Sequence, residues 1–160
     1  MTGRLRQSSL YTRILKRRLE YAMKIDLERL AAAAWRQRDA AFTLGGVKVG
    51  AALESSTGEV FTGCNIETQY RTHDVHAEIA AIVKTVTSNQ TKIKAMVIVA
   101  EKHKFTPCGT CLDWIFQFGG PGSIVAYQNK RGGRIVKYTA SELMPHYPNK
   151  QRRPKPRTRN

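Results

Sequence analysis

Residues 74–116 read DVHAEIAAIVKTVTSNQTKIKAMVIVAEKHKFTPCGTCLDWIF. Three patterns follow one another in this stretch. Ile79, Ile82, Val83 and Val86 stand at i, i+3, i+4 and i+7, the spacing of one face of a helix beginning near Asp74. Ala95 to Ala100 is a short continuous apolar run, which marks a buried strand. Leu112, Ile115 and Phe116 then resume helical spacing in a helix that opens near Cys108. Helix, buried strand and helix in this order belong to a mixed α/β protein.

Outward from this stretch the pattern continues on both sides. Toward the N-terminus, Asp26 reads as an N-cap, and Leu27, Leu30, Ala31 and Ala34 repeat at helical spacing to a stop near Ala41, before Gly45-Gly46. Val47, Val49, Ala51 and Leu53 alternate as in a strand that runs to a turn at Ser56-Thr57-Gly58. Val60 to Asn65 is the return strand. Toward the C-terminus, Ser123 to Tyr127 and Arg134 to Tyr138 are two strands around Lys130-Arg131-Gly132-Gly133. The expected order is helix, two strands, helix, strand, helix, two strands: one mixed sheet covered by helices, with no internal repeat or linker.

The two predicted helix starts carry the chemistry. One is His76-Ala77-Glu78, the other Pro107-Cys108-Gly109-Thr110-Cys111. A helix N-terminus has about half a positive charge and free N–H groups, which favour thiolate over thiol. A Cys-x-x-Cys turn converges two sulfurs on one ion, and His76 offers a third ligand. Three protein ligands leave a tetrahedral position open, the arrangement of a catalytic rather than a structural zinc. Glu78, two residues from His76, is placed to move protons without ligating the metal. His-x-Glu followed by Pro-Cys-x-x-Cys is the signature of zinc-dependent base deaminases. Three other readings stay open on the residues alone. A thioredoxin-type redox pair would need no His-x-Glu. A structural zinc would want a fourth ligand, for which Cys64 or His73 could serve. The third is an inactive protein on the same fold.

Charge is distributed unevenly. The 160 residues carry a formal net charge of +15. Residues 1–22 hold six Arg and Lys against Glu20 alone, and residues 147–160 hold six more against no acid. The expected organisation is therefore a basic extension over 1–22, one catalytic domain over 23–146, and a basic, Pro-containing disordered tail over 147–160. Such tails attract polyanions by releasing counterions, or simply keep a chain in solution. The Arg-rich, acid-poor composition of 1–22 is also that of a mitochondrial presequence. No apolar run approaches the ~20 residues a membrane span needs, so no membrane partner is expected. Cys64, Cys108 and Cys111 are too few and odd in number for a disulfide framework. They point to a reducing, cytoplasmic setting and to metal or catalytic use.

Several short segments resemble the cytidine deaminase family, above all its small homo-tetrameric branch. They are Val49-Gly50-Ala51-Ala52-Leu53, Gly63-Cys64-Asn65-Ile66-Glu67, His76-Ala77-Glu78, Pro107-Cys108-Gly109-Thr110-Cys111 and the weaker Glu142-Leu143-Met144-Pro145. The resemblance runs from about Met23 to His146. It implies a three-layer α/β/α sandwich around a five-stranded mixed sheet, and a homotetramer. It also implies that Asn65 and Glu67 hydrogen-bond the sugar hydroxyls of a nucleoside. The Ala77 backbone and Glu78 would hold the base edge, the Thr106 carbonyl would lie near the leaving amine, and Cys64 would not be a ligand. Apart from the resemblance, Asn65 and Glu67 also read as a polar exit from a strand.

Departures from the family bear on the substrate. Val47 stands where small members usually have Phe, Lys48 replaces a common Pro, and Leu112-Asp113 replaces the common Arg-Gln. Many small members bind zinc through three thiolates, a site of net charge −1 that an Arg after the Glu offsets. Here His76 makes the site neutral, and Ile79 follows Glu78. The leading expectation is zinc-dependent hydrolysis of the amine of cytidine or deoxycytidine. A blasticidin-S-type modified nucleoside is the second reading. A single-stranded nucleic acid guided by the tails is the third. A non-enzymatic nucleic-acid binder is the fourth, and the intact Glu78 argues against it.

Overall fold

The computed structural model describes residues 25–103 and 105–147. The basic extension expected over 1–22 lies outside the described residues, as does the tail from residue 148 on. Among the described residues nine elements follow in order: α1 (Leu27–Arg38), β1 (Gly50–Ser55), β2 (Val60–Cys64), α2 (Ala77–Thr87), β3 (Ile93–Val99), α3 (Gly109–Gly119), β4 (Ile124–Gln128), β5 (Ile135–Thr139) and α4 (Ala140–Leu143). The expected element order holds, with α4 added. α4 is a single turn opened by a capping box, in which Thr139 and Glu142 satisfy each other's backbone N–H groups.

The strands form one sheet in the order β2-β1-β3-β4-β5. Only the β3–β4 pair is parallel; β1–β2, β1–β3 and β4–β5 are antiparallel. Alternate side chains leave opposite faces of the pleat, so each face builds its own core. On one face, Ala52, Ala95, Val97, Val99 and Ala126 pack on Leu30, Ala34 and Trp35 of α1. On the other, Ala51, Leu53, Met96, Ile98 and Val125 pack on Ala77, Ala81 and Ile82 of α2 and Ile115 and Phe116 of α3. The three-layer α/β/α sandwich around a mixed five-stranded sheet is therefore the fold. Trp35 fastens the end of α1 to β4 by donating its indole N–H to Gln128, and both side chains are buried. Loss of such a side chain costs about 3–5 kcal/mol.

Four expectations shift in ways that matter for the site. The first strand begins at Gly50, not Val47, because Asn65 replaces the ladder: its Oδ1 accepts from the Val49 N–H at 2.7 Å and its Nδ2 donates to the Val47 carbonyl at 3.0 Å. Asn65 accordingly falls just beyond β2, which ends at Cys64. α1 ends at Arg38 rather than near Ala41, because Phe42 turns to pair with Ile66. The second helix begins at Ala77, not near Asp74. The Asp74 carboxylate instead accepts the Thr68 N–H at 2.6 Å and closes the loop before the helix.

The buried face of α2 also differs from the expected stripe. Ala77, Glu78, Ala81, Ile82 and Thr85 face inward, while Val83 is exposed. Gly63 explains the rotation: a Cβ there would lie 2.3 Å from the Ala77 carbonyl oxygen and 2.5 Å from the Ala81 nitrogen. The bare glycine lets the small side of the helix lie directly on β2, and that side carries Glu78 inside with it. Finally, Tyr147, expected as the first tail residue, belongs to the fold. Its ring stacks on Phe116 at 4.3 Å and its hydroxyl donates to Asp113.

Candidate active site

His76 is the N-cap of α2 and Cys108 the N-cap of α3. That position usually holds Ser, Thr, Asp or Asn, whose oxygen caps the first turn. Neither His76 nor Cys108 makes a side-chain cap bond. Both are directed at one point instead. Cys111, one turn into α3, joins them from the buried side. The Nδ1 of His76 lies 3.4 Å from Cys108 Sγ and 3.3 Å from Cys111 Sγ. A tetrahedral zinc with Zn–N of about 2.0–2.1 Å and Zn–S of about 2.3 Å separates nitrogen from sulfur by about 3.5 Å. The donor set therefore fits that ion in both softness and spacing.

Among the described residues the convergent group holds these three alone. The fourth ligand needed for a structural zinc is not supplied by the sequence candidates. Cys64 Sγ instead accepts a hydrogen bond from Gln37 Nε2 at 3.6 Å, and His73 is exposed on its loop. The open side of the triangle faces a cavity of about 250 Å³, lined by His76, Cys108 and Glu78 among others. That volume lies just under the roughly 300–1,000 Å³ of sites for drug-sized ligands, and suits one small molecule.

Electrostatics follow from burial. Glu78 is almost fully buried, and desolvation pushes its carboxyl above the usual range against the pull of its own backbone N–H, His76 and Cys111. Its place beside the three donors and on the cavity wall suits this carboxyl to exchanging protons with a molecule bound there. Burial, with Glu78 and Cys108 nearby, likewise pushes the Cys111 thiol up. A bound cation reverses that logic and draws the thiol into its thiolate form.

The far end of the cavity is built from longer-range contacts. Asn65 and Glu67 both line it. Glu67 is buried, and its Oε2 accepts from the Leu44 N–H at 2.7 Å and the Gly46 N–H at 3.2 Å. The bare Gly46 leaves room for the carboxylate in this position, since a Cβ would fall 1.8 Å from Glu67 Oε1 and displace it. Asn65 and Glu67 thus do two things at once: they tie down residues 44–49 and present polar atoms to the cavity. Thr106 lines the cavity, whereas Ala77 is buried in the first turn of α2. The walls are Val47, Val49, Ile98 and Phe105, and Lys102 stands at the rim. The sequence reading passed over Gly46, Phe105 and Arg71. Gly45-Gly46 was visible only as a turn, and nothing local announced which carboxylate would lie over it.

The family model of the cytidine and deoxycytidylate deaminase zinc-binding region matches residues 23–128. The chain belongs to that family. A cytidine deaminase of Sporosarcina psychrophila is 32% identical over 123 residues, 76% of this chain and 90% of that protein. A blasticidin-S deaminase of Bacillus cereus is 31% identical over 108 residues, 61% of this chain and 74% of that protein. The crystal structure of cytidine deaminase from Burkholderia pseudomallei superposes with a TM-score of 0.70 at 28% identity, covering 76% of this chain and 98% of that one. The deaminase is a zinc-dependent hydrolase of α/β fold, and the His76–Cys108–Cys111 triangle fits its metal. None of the described helices is long and apolar enough to cross a membrane.

Proposed function

We propose that this deaminase converts cytidine or deoxycytidine to the uracil nucleoside and ammonia, with Glu78 as its proton shuttle. The observation that carries the reading is Glu78, buried on the inner face of α2 beside the three metal-ligating side chains and opening on a cavity of nucleoside size. Zinc, when held by His76, Cys108 and Cys111, supplies Lewis-acid activation of a water nucleophile. The Glu78 carboxylate takes a proton from the water that adds to C4 and delivers it to ring N3. It then carries the proton of the new C4 hydroxyl to the exocyclic amine. The C4–N bond breaks, ammonia leaves with that proton, and a carbonyl remains at C4. The Ala77 backbone holds the base edge and the Thr106 carbonyl receives the departing amine. Asn65 and Glu67 bind the sugar hydroxyls.

The finer organisation belongs to the same proposal. Phe42, Leu44, Ile66, Tyr70 and Val75 are exposed on the segments that border the cavity, and Phe42, Ile66 and Val75 are neighbours through two β-bridges. An apolar patch of this kind supports burial against a second copy, hence a homo-oligomer, a tetramer by family resemblance. The free thiols of the site suit a reducing, cytoplasmic setting. Residues 1–22 and the tail after Tyr147 act as basic appendages to a catalytic domain over 23–147, with polyanions as their partners. Ammonia release from cytidine, deoxycytidine, blasticidin S and single-stranded oligonucleotides, measured at near-physiological salt, tests the reading. Turnover should be highest on the two nucleosides. Faster turnover of blasticidin S or of oligonucleotides would replace the substrate class.

A further inference from the structure

Arg71 is the odd residue of the cavity rim. Its backbone sits in the left-handed region at φ 52, where a long side chain is uncommon. Yet its side chain is the most heavily engaged cation at the cavity. Nε meets Asp74 Oδ2 at 2.8 Å, Nη1 meets Glu67 Oε2 at 3.2 Å, and Nη2 donates to Glu67 Oε1 at 3.2 Å. Asp74 is itself pinned by the Thr68 N–H and hydroxyl. The planar guanidinium fork is therefore gripped on one edge by Asp74 and grips Glu67 with the other.

What this adds to Glu67 can be read atom by atom. The two backbone bonds from Leu44 and Gly46 both end on Oε2. A carboxylate held at one oxygen still pivots about it. Among the described residues, the hydrogen bond to Oε1 is the one from Arg71. Arg71 thus sets the plane of the carboxylate and so the direction of the lone pair that Oε1 keeps for a ligand. We infer that Arg71 is a positioning residue for substrate recognition, locking the Glu67 carboxylate in the orientation that a sugar hydroxyl meets. The inference rests on the reading of Glu67 as a sugar contact. It also accounts for an arginine at a backbone conformation that favours glycine: the side chain's double ion pair holds the loop in a shape the residue would otherwise avoid.

The backbone offers a clean separation of roles. Arg71→Gly removes the side chain while suiting the left-handed φ, so relief of backbone strain offsets part of the lost ion pairs, and a thermal melt checks that the variant is folded. Zinc-loaded full-length protein is assayed on cytidine and on 2′,3′-dideoxycytidine, which lacks both ring hydroxyls. Arg71→Gly should raise KM for cytidine roughly tenfold or more, as expected on losing a charge-assisted contact, with kcat changed far less. KM for the dideoxynucleoside should stay put. Arg71→Lys should recover only part of the loss, because an ammonium cannot bridge both carboxylates in one plane. An unchanged cytidine KM, or equal losses on both substrates, overturns the inference. Glu67→Gln, run in parallel, shows which step failed. If it separates the two substrates and Arg71→Gly does not, Glu67 still binds the sugar and Arg71 does not position it. If neither variant separates them, the sugar contact itself is wrong and the inference falls with it.

Discussion

At one end of the cavity, the three side chains proposed to hold the metal come from the starts of two helices, and two of them are spaced three residues apart. At the other end, Asn65 and Glu67, from the loop after β2, hold residues 44–49 through contacts 16 to 23 positions distant in sequence, and Arg71 in turn holds Glu67. The metal end is a local device whose geometry is set by helix termini. The end proposed to meet the sugar is assembled by tertiary structure, and Asn65 and Glu67 there also carry a structural load. Substitutions should therefore behave differently at the two ends. At the metal end they should remove chemistry and leave the sheet intact; at the sugar end they should blur affinity and loop order together.

The largest effect is expected at the metal end. Cys108→Ala or Cys111→Ala should abolish zinc binding and activity together, since two protein ligands do not make a catalytic site. Metal analysis alongside ammonia release checks this, and full zinc occupancy with retained turnover in both variants would break the comparison. Next in size is Asn65→Ala. It removes one acceptor bond and one donor bond to the 47–49 segment as well as a group facing the cavity. A loss of about 1–3 kcal/mol in stability is expected from chemical denaturation. It should come with a larger rise in KM for cytidine than for free cytosine. A pure stability loss with the KM ratio unchanged would make Asn65 structural only.

The smallest effect lies far from both ends. Glu142 accepts the Thr139 N–H and hydroxyl at the start of α4, and the backbone hydrogen bond above all holds its carboxyl below the usual glutamate range. A depressed folded-state value contributes stability above the unfolded-state value and loses it as pH falls through the folded-state value. Glu142→Gln should therefore lower stability slightly at neutral pH, with the deficit shrinking as pH falls through the folded-state value, without touching activity at neutral pH. Thermal melts as a function of pH read this directly, and an equal loss at all pH values would assign the residue a packing role instead.

The contrast between the two ends also explains what was legible in the sequence. His76, Glu78, Cys108 and Cys111 could be read because helix starts and three-residue spacing are local facts. The sheet could be read for the same reason: β1 to β5 announce themselves by alternation or by apolar runs. Alternation at Val47 reads as strand because it cannot show that the Asn65 side chain bonds the backbone there. The apolar stripe of α2 misleads because Gly63, on the strand directly beneath the helix, selects its small face. Arg71 and Gly46 were invisible, since their importance exists only once Glu67 has been brought against them.

The most direct test of the central claim is Glu78→Gln, which keeps the volume of the side chain and removes its capacity to shuttle protons. The variant should bind one zinc per chain, retain the fold, and lose roughly 10²–10⁴-fold in cytidine turnover or more, the range for a general acid–base group serving several transfers. A zinc-loaded, folded variant turning over cytidine within about tenfold of the parent protein would contradict the account.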